Sequence, residues 1–189
     1  MNKKEQKRKK AFTLSEVMVS IFIFSIIIVT ATSLFISVIK TQTQVLSSQQ
    51  IIRELSYVME YMSRAIRMAT KDDINGVDCL TGDKVNYEAT PSGVRFRNYK
   101  NECQEFRLEN HRLKEIKVIS GVTTSEAFLT SPDIFVEKFN IYISGEEQPP
   151  ADYSQPKITL FLEVKKKGTS NSKMRIQTTI SQRNLDFER

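Results

Sequence analysis

The 189-residue chain has one histidine, His111, two cysteines, Cys79 and Cys103, and no glycine or proline before Gly76. A single histidine leaves no histidine-rich metal site and only one candidate base. No serine stands in a G-x-S-x-G setting and no H-E-x-x-H occurs, so these hydrolase and metalloprotease arrangements are missing. Asp72, Asp73, Asn75, Asp78 and Asp83 cluster, but the glycine is misplaced for an EF-hand and Lys84 stands where its closing glutamate belongs. A polar helix end and turn is the expectation there. His111 is expected as a solvated loop residue, and the chain as a non-enzyme needing neither cofactor nor metal.

Charge is also missing from a long stretch. From Phe12 to Ile39 the one ionisable residue is Glu16. At about 1.5 Å per helical residue this run covers ~40 Å, more than a bilayer's hydrocarbon core of ~30 Å requires. Ile21 to Val29 is apolar except for Ser25, without the recurring polar face of a soluble amphipathic helix. One transmembrane helix over 12–39 is expected. A cleaved secretory signal would be shorter and end in a small-x-small exit.

Ahead of it stand Lys3, Lys4, Lys7, Arg8, Lys9 and Lys10, opposed by Glu5 alone, and such a flank holds the N-terminus in the cytoplasm. The rest of the chain is then extracytoplasmic. Without residues 1–11, 22 basic residues face 21 acidic ones, so most of the formal charge of +6 lies in the leader and marks topology. Nucleic acid is not an expected partner.

Inside hydrocarbon an ionised carboxylate costs several kcal/mol, so Glu16 needs a partner. No lysine or arginine of the helix supplies one. A free α-amino group of a neighbouring copy would serve, if the chain were cut a few residues before Glu16. Alternatively, Glu16 reaches the interface and favours the positive end of the helix dipole.

The basic leader, Ala11 and the following FTLSEVMVS resemble the processing signal of type IV pilin-like proteins, which include pilins and the pseudopilins of type II secretion and competence. The resemblance implies that prepilin peptidase cuts between Ala11 and Phe12, that Phe12 becomes the methylated terminus, and that Glu16, fifth in the mature chain, neutralises the terminal amine of an adjacent subunit. Ala11 stands where glycine is usual and Ser15 where a large aliphatic residue is usual. Implied partners are the peptidase, other major and minor subunits and the inner-membrane assembly platform.

Beyond Lys40, Val45, Ser48, Ile52, Leu55, Met59, Met62, Ile66 and Ala69 recur at steps of three and four, an amphipathic continuation over 40–73. With no breaker in view, one helix from about Phe12 to Thr70 would be ~90 Å long. A coiled-coil dimer competes for this stripe, but Val58, Tyr61, Ala65 and Met68 add a second apolar row suited to packing on a sheet.

From residue 74 to 189 the period changes. GVRFRNYK, CQEFRLEN, RLKEIKVI, VEKFNIYIS, KITLFLEV and MRIQTTIS are rich in β-branched and aromatic residues and alternate, predicting about six strands. KKKGTSNSK is expected as a hairpin connection, and GVTTSEAFLTSP and GEEQPPADYSQP as loops. Arg95, Arg97 and Tyr99 alternate with Val94 and Phe96, which most simply makes one face core and the other solvent. The fold class is therefore α+β, a long N-terminal helix packed on an antiparallel sheet domain.

LSYVMEYMSRAIRMAT, VEKFNIYI and the terminal QTTISQRN are similar to J-type minor pseudopilins and W-type minor pilins. That implies a minor subunit of a filament or of its assembly-initiating tip. The alternative is a stand-alone membrane-anchored ligand-binding protein with its leader retained. Cys79 and Cys103, both on the extracytoplasmic side, are expected to form a disulfide, closing a loop of about 25 residues for roughly 3 kcal/mol of unfolded-state entropy. Two buried free thiols are the other reading.

Overall fold

The computed structural model describes residues 11–70, 79–81, 85–119, 121–145, 147, 153–168 and 173–183. The chain divides into two compact units, Met1–Leu46 and Ser47–Arg189. Helix α1, Leu14–Arg67, contributes to both.

In the first unit every described residue is exposed. Among the described residues α1 is the one helix long and apolar enough to cross a membrane. Its hydroxyls turn back onto the helix: Ser20 donates to the Glu16 carbonyl at 2.7 Å, Ser25 to Ile21 at 2.8 Å and Thr32 to Ile28 at 2.8 Å. A hydroxyl bonded one turn back presents no unsatisfied donor to an apolar surround, so these polar residues suit a lipid-facing helix.

The second unit is an α+β domain. Strands β1 (Tyr87–Thr90), β2 (Gly93–Arg97), β3 (Cys103–Glu109), β4 (Arg112–Ile119) and β5 (Val122–Phe128) form one antiparallel sheet in sequence order. Strands β6 (Ile134–Ser144), β7 (Lys157–Lys166) and β8 (Lys173–Ser181) form a second. One core joins α1 to both sheets, with Leu55, Met62 and Ile66 of the helix, Phe96 and Phe106 of the first sheet, and Leu160 and Leu162 of the second all fully buried.

Side-chain and backbone donors close the end of α1. Tyr87 Oη donates to the Ile66 carbonyl at 2.9 Å, the Arg183 amide to Arg67 at 2.9 Å and Gln182 Nε2 to Ala69 at 3.0 Å. The last carbonyls of a helix lack intrahelical donors, and here β1 and the segment after β8 supply them. Strand spacing is set by tight turns. Asn110 and His111, both at positive φ (51° and 58°), make a two-residue link between β3 and β4 of the kind that matches strand twist. At Gly93, a Cβ would lie 1.8 Å from the Phe106 carbonyl oxygen, so β2 and β3 meet there only because no side chain intervenes.

Several sequence expectations are corrected. Among the described residues there are eight strands in two sheets, where about six in one sheet were expected. GVTTSEAFLTSP is not a loop, since Val122–Phe128 pairs with β4 as an edge strand. All seven of its residues are exposed, so backbone pairing, with no buried face, makes the strand. On α1, Ile51 is 1% exposed and Ile52 48%, and Val45 is also 48% exposed; the inner stripe runs through Ile51, Leu55, Val58, Met62 and Ile66. The buried arc follows residues that face two sheets, which displaces it from the row drawn through Ile52. The second row splits too: Val58 is buried, Tyr61 and Ala65 are half-buried, and Met68 is exposed. KKKGTSNSK does join antiparallel neighbours, pairing Lys165 with Lys173.

Candidate functional site

The segment 11–13 precedes α1 without helical structure, and Ala11 and Phe12 are exposed, Phe12 by 84%. The Ala11–Phe12 bond therefore lies just outside the helix, in exposed chain. Helix α1 starts at Leu14 because Thr13 caps it. The Thr13 amide and its hydroxyl each donate to Glu16 Oε2 at 2.8 Å, and the Glu16 amide points back at Thr13 Oγ1 at 3.4 Å. This reciprocal Thr-x-x-Glu arrangement is a capping box, worth on the order of 1 kcal/mol to the helix start. Sequence reasoning recognised Glu16 and missed Thr13, although the T-L-S-E spacing ahead of an apolar run carries that signal.

Thr13 supplies only part of what the carboxylate can accept. Among the described residues its hydrogen bonds come from Thr13 alone and both reach Oε2, leaving Oε1 open beside the first turn of an apolar helix. No cation of the described helix lies nearby, Lys40 being the first.

The other expected site residues are far from this one in sequence. Cys79 and Cys103 form a disulfide, with S–S 2.04 Å and Cα–Cα 5.3 Å, tying the segment after α1 to the start of β3. His111 is exposed in the β3–β4 turn, its ring stacked on Phe135 at 4.0 Å, with Nδ1 3.3 Å from the Val136 carbonyl oxygen. These contacts give its ring a packing role. Arg95 pairs with Glu105 at 2.9 Å and Arg97 is buried, so β2 presents no free basic face. The acidic cluster from Asp72 to Asp83 lies outside the described residues. Among the described residues no group of three or more His, Cys, Asp or Glu side chains could hold a metal ion.

The chain matches the family model for the prokaryotic N-terminal methylation motif over residues 6–32. No curated protein and no solved structure matches it. The match covers the leader from Gln6 onward, the exposed Ala11–Phe12 bond, the Thr13–Glu16 box and the apolar helix as far as Thr32. Proteins with this motif are processed by prepilin peptidase and assemble with other pilins; the family is structural, and its members are membrane-anchored. With the motif at the head of a long apolar helix that is followed by antiparallel sheets, the chain carries the prepilin-type N-terminus of type IV pilin-like proteins, and its α+β class fits theirs.

Proposed function

We propose that the chain is a minor pilin or pseudopilin of a type IV pilus, type II secretion or competence filament, placed in the tip complex that starts assembly. Prepilin peptidase cuts between Ala11 and Phe12 and methylates Phe12. The N-terminus faces the cytoplasm, held by the six leader cations, and the domain carrying the sheets is extracytoplasmic. The Cys79–Cys103 disulfide suits that oxidising side. A minor role is favoured by the likeness of the late helix and of QTTISQRN to J-type and W-type subunits, and by a helix with no glycine or proline to break it. The assembly platform of the inner membrane and the other minor subunits are its partners.

The observation that carries this reading is the open Oε1 of Glu16, the one carboxylate in an apolar run, five residues into the processed chain. Cutting before Phe12 leaves Thr13 and the capping box in place and creates an amine that a neighbouring Glu16 can neutralise. Replacing Glu16 by alanine tests it. Membrane insertion and cleavage should persist, because the apolar run and Ala11 are unchanged, while incorporation beside other subunits drops by about tenfold, the equivalent of ~1.4 kcal/mol of lost pairing. Undiminished incorporation of the variant would contradict the pairing.

A further inference from the structure

The three-stranded sheet β6-β7-β8 has one face in the core and one face open. On β7, Ile158, Leu160, Leu162 and Val164 are fully buried, whereas Thr159 and Phe161 between them are half-buried on the opposite side. The register sets Asn140 and Gln177 on either side of Phe161, and Tyr142 and Thr179 on either side of Thr159. Tyr142 is 64% exposed. It lies diagonally from Phe161, roughly 7–8 Å away at the backbone, within reach for two rings to form one platform.

These six positions carry no charge. Asn140, Gln177 and the Tyr142 hydroxyl have no hydrogen-bond partner among the described residues, and the Thr159 and Thr179 hydroxyls, 2.9 Å apart, bond to each other. Three of the sheet's cations lie toward its other end and are held there: Lys165 and Lys173 on Glu137 at 2.5 and 2.8 Å, Arg175 on Glu163 at 3.1 Å. Beside the platform, the β1–β2 turn and Asn140–Tyr142 enclose a cleft of about 270 Å³ that extends it past the sheet edge.

A ligand that fits presents flat apolar faces to Phe161 and Tyr142, and donors and acceptors at its rim to two amides and the hydroxyls, and it carries no net charge. Sugar rings have this character, with C–H faces and hydroxyl edges. A polyanion finds little here, since on this face only Lys138 and Lys157 lack a carboxylate partner among the described residues. We propose that the open face of the β6-β7-β8 sheet is a binding platform for a neutral linear glycan, with Phe161 and Tyr142 stacking on the rings and Asn140 and Gln177 taking the hydroxyls. A few placed polar groups around aromatic surface are what orient such a ligand.

The test is calorimetric titration of the full chain in detergent with cellohexaose and chitohexaose, and with oligogalacturonate and oligo-deoxythymidine as anionic comparators. The expected result is saturable binding of at least one neutral hexasaccharide, with an affinity that does not change with salt. Tyr142→Ala and Asn140→Ala should each weaken it by about tenfold, the loss of one good contact in each case. Both residues are exposed, so an unchanged melting temperature should accompany the loss, and Tyr142→Phe should keep most of the affinity. Absence of binding by both neutral sugars overturns the proposal, as does binding that Tyr142→Ala leaves unaltered. Binding of the anionic probes alone, falling with salt and abolished by Lys138→Ala with Lys157→Ala, would make the face a polyanion site and also overturn it.

Discussion

Tyr61 on α1 donates its hydroxyl to Glu115 Oε1 on β4 at 2.6 Å, across 54 positions of sequence. Gln104 Nε2 donates to the same oxygen, and Lys117 Nζ lies 3.4 Å from Oε2. Glu115 is 5% exposed, so these groups stand in for the water that a carboxylate loses on burial. The Tyr61 ring also packs edge-on against Phe106 at 6.2 Å, which makes this residue both an apolar and a polar link between helix and sheet.

Tyr61→Phe keeps the ring and removes the donor. The expected cost is about 1–3 kcal/mol, because a buried acceptor loses part of its satisfaction, read from the midpoint of denaturant unfolding. Burial, and then the hydrogen bond and charge of Glu115, raise the Tyr61 hydroxyl above its usual value. With the folded value above the unfolded one, the stabilisation is complete below a pH of about 10 and is lost as pH rises through the folded value. Alkaline pH should thus destabilise the native protein more steeply than Tyr61→Phe, and equal slopes would show that the tyrosine does not govern this limb.

At acid pH the informative group is Glu137. Hydrogen bonds from Lys165 and then Lys173 hold its carboxyl at about 2, against an ordinary 4.5. A depressed folded value stabilises above the unfolded pKa, and that contribution is lost as pH falls from 4.5 toward about 2. Glu137→Gln should lose the part of the acid-induced drop in melting temperature that this group contributes. An identical acid profile in the variant would show that the lysine pair does not act on stability.

What the sequence made legible follows from where burial writes a pattern. Strands β2, β3, β6 and β7 each bury one face, so Val94, Phe96, Phe106, Leu160 and Leu162 announce them by alternation. Strand β5 buries nothing, and Val122–Phe128 therefore resembles a loop. Ile51 and Ile52 are equally apolar, and which of them enters the core depends on where the two sheets lie, a long-range fact invisible in local spacing. Glu16 stood out because charge is so costly in an apolar helix, whereas Thr13, an ordinary polar residue, drew no notice until its bonds to Glu16 were in view.

The disulfide closes a loop of 24 positions. Replacing both Cys79 and Cys103 by serine should cost roughly 3 kcal/mol and lower the melting temperature by about 10 °C in a domain of this size. Thiol reduction of the native protein should have the same effect. A loss under about 1 kcal/mol would mean that the connection between α1 and β3 is already ordered in the unfolded chain or held by other contacts.

On the proposed cut between Ala11 and Phe12, processing requires a small side chain at Ala11, next to the exposed Phe12. Ala11→Leu should accumulate as a membrane-held precursor at least tenfold slower to mature, by the ~1.4 kcal/mol or more that a misfitting side chain adds to a barrier. Maturation at the native rate would place the cut elsewhere.

The central claim, that this chain is a processed pilin-like subunit, is tested most directly by mass spectrometry of its N-terminus after expression beside a prepilin peptidase. The account predicts a chain that begins with N-methylated Phe12 and lacks residues 1–11. A chain that retains the basic leader, or that begins at any other residue, would contradict it.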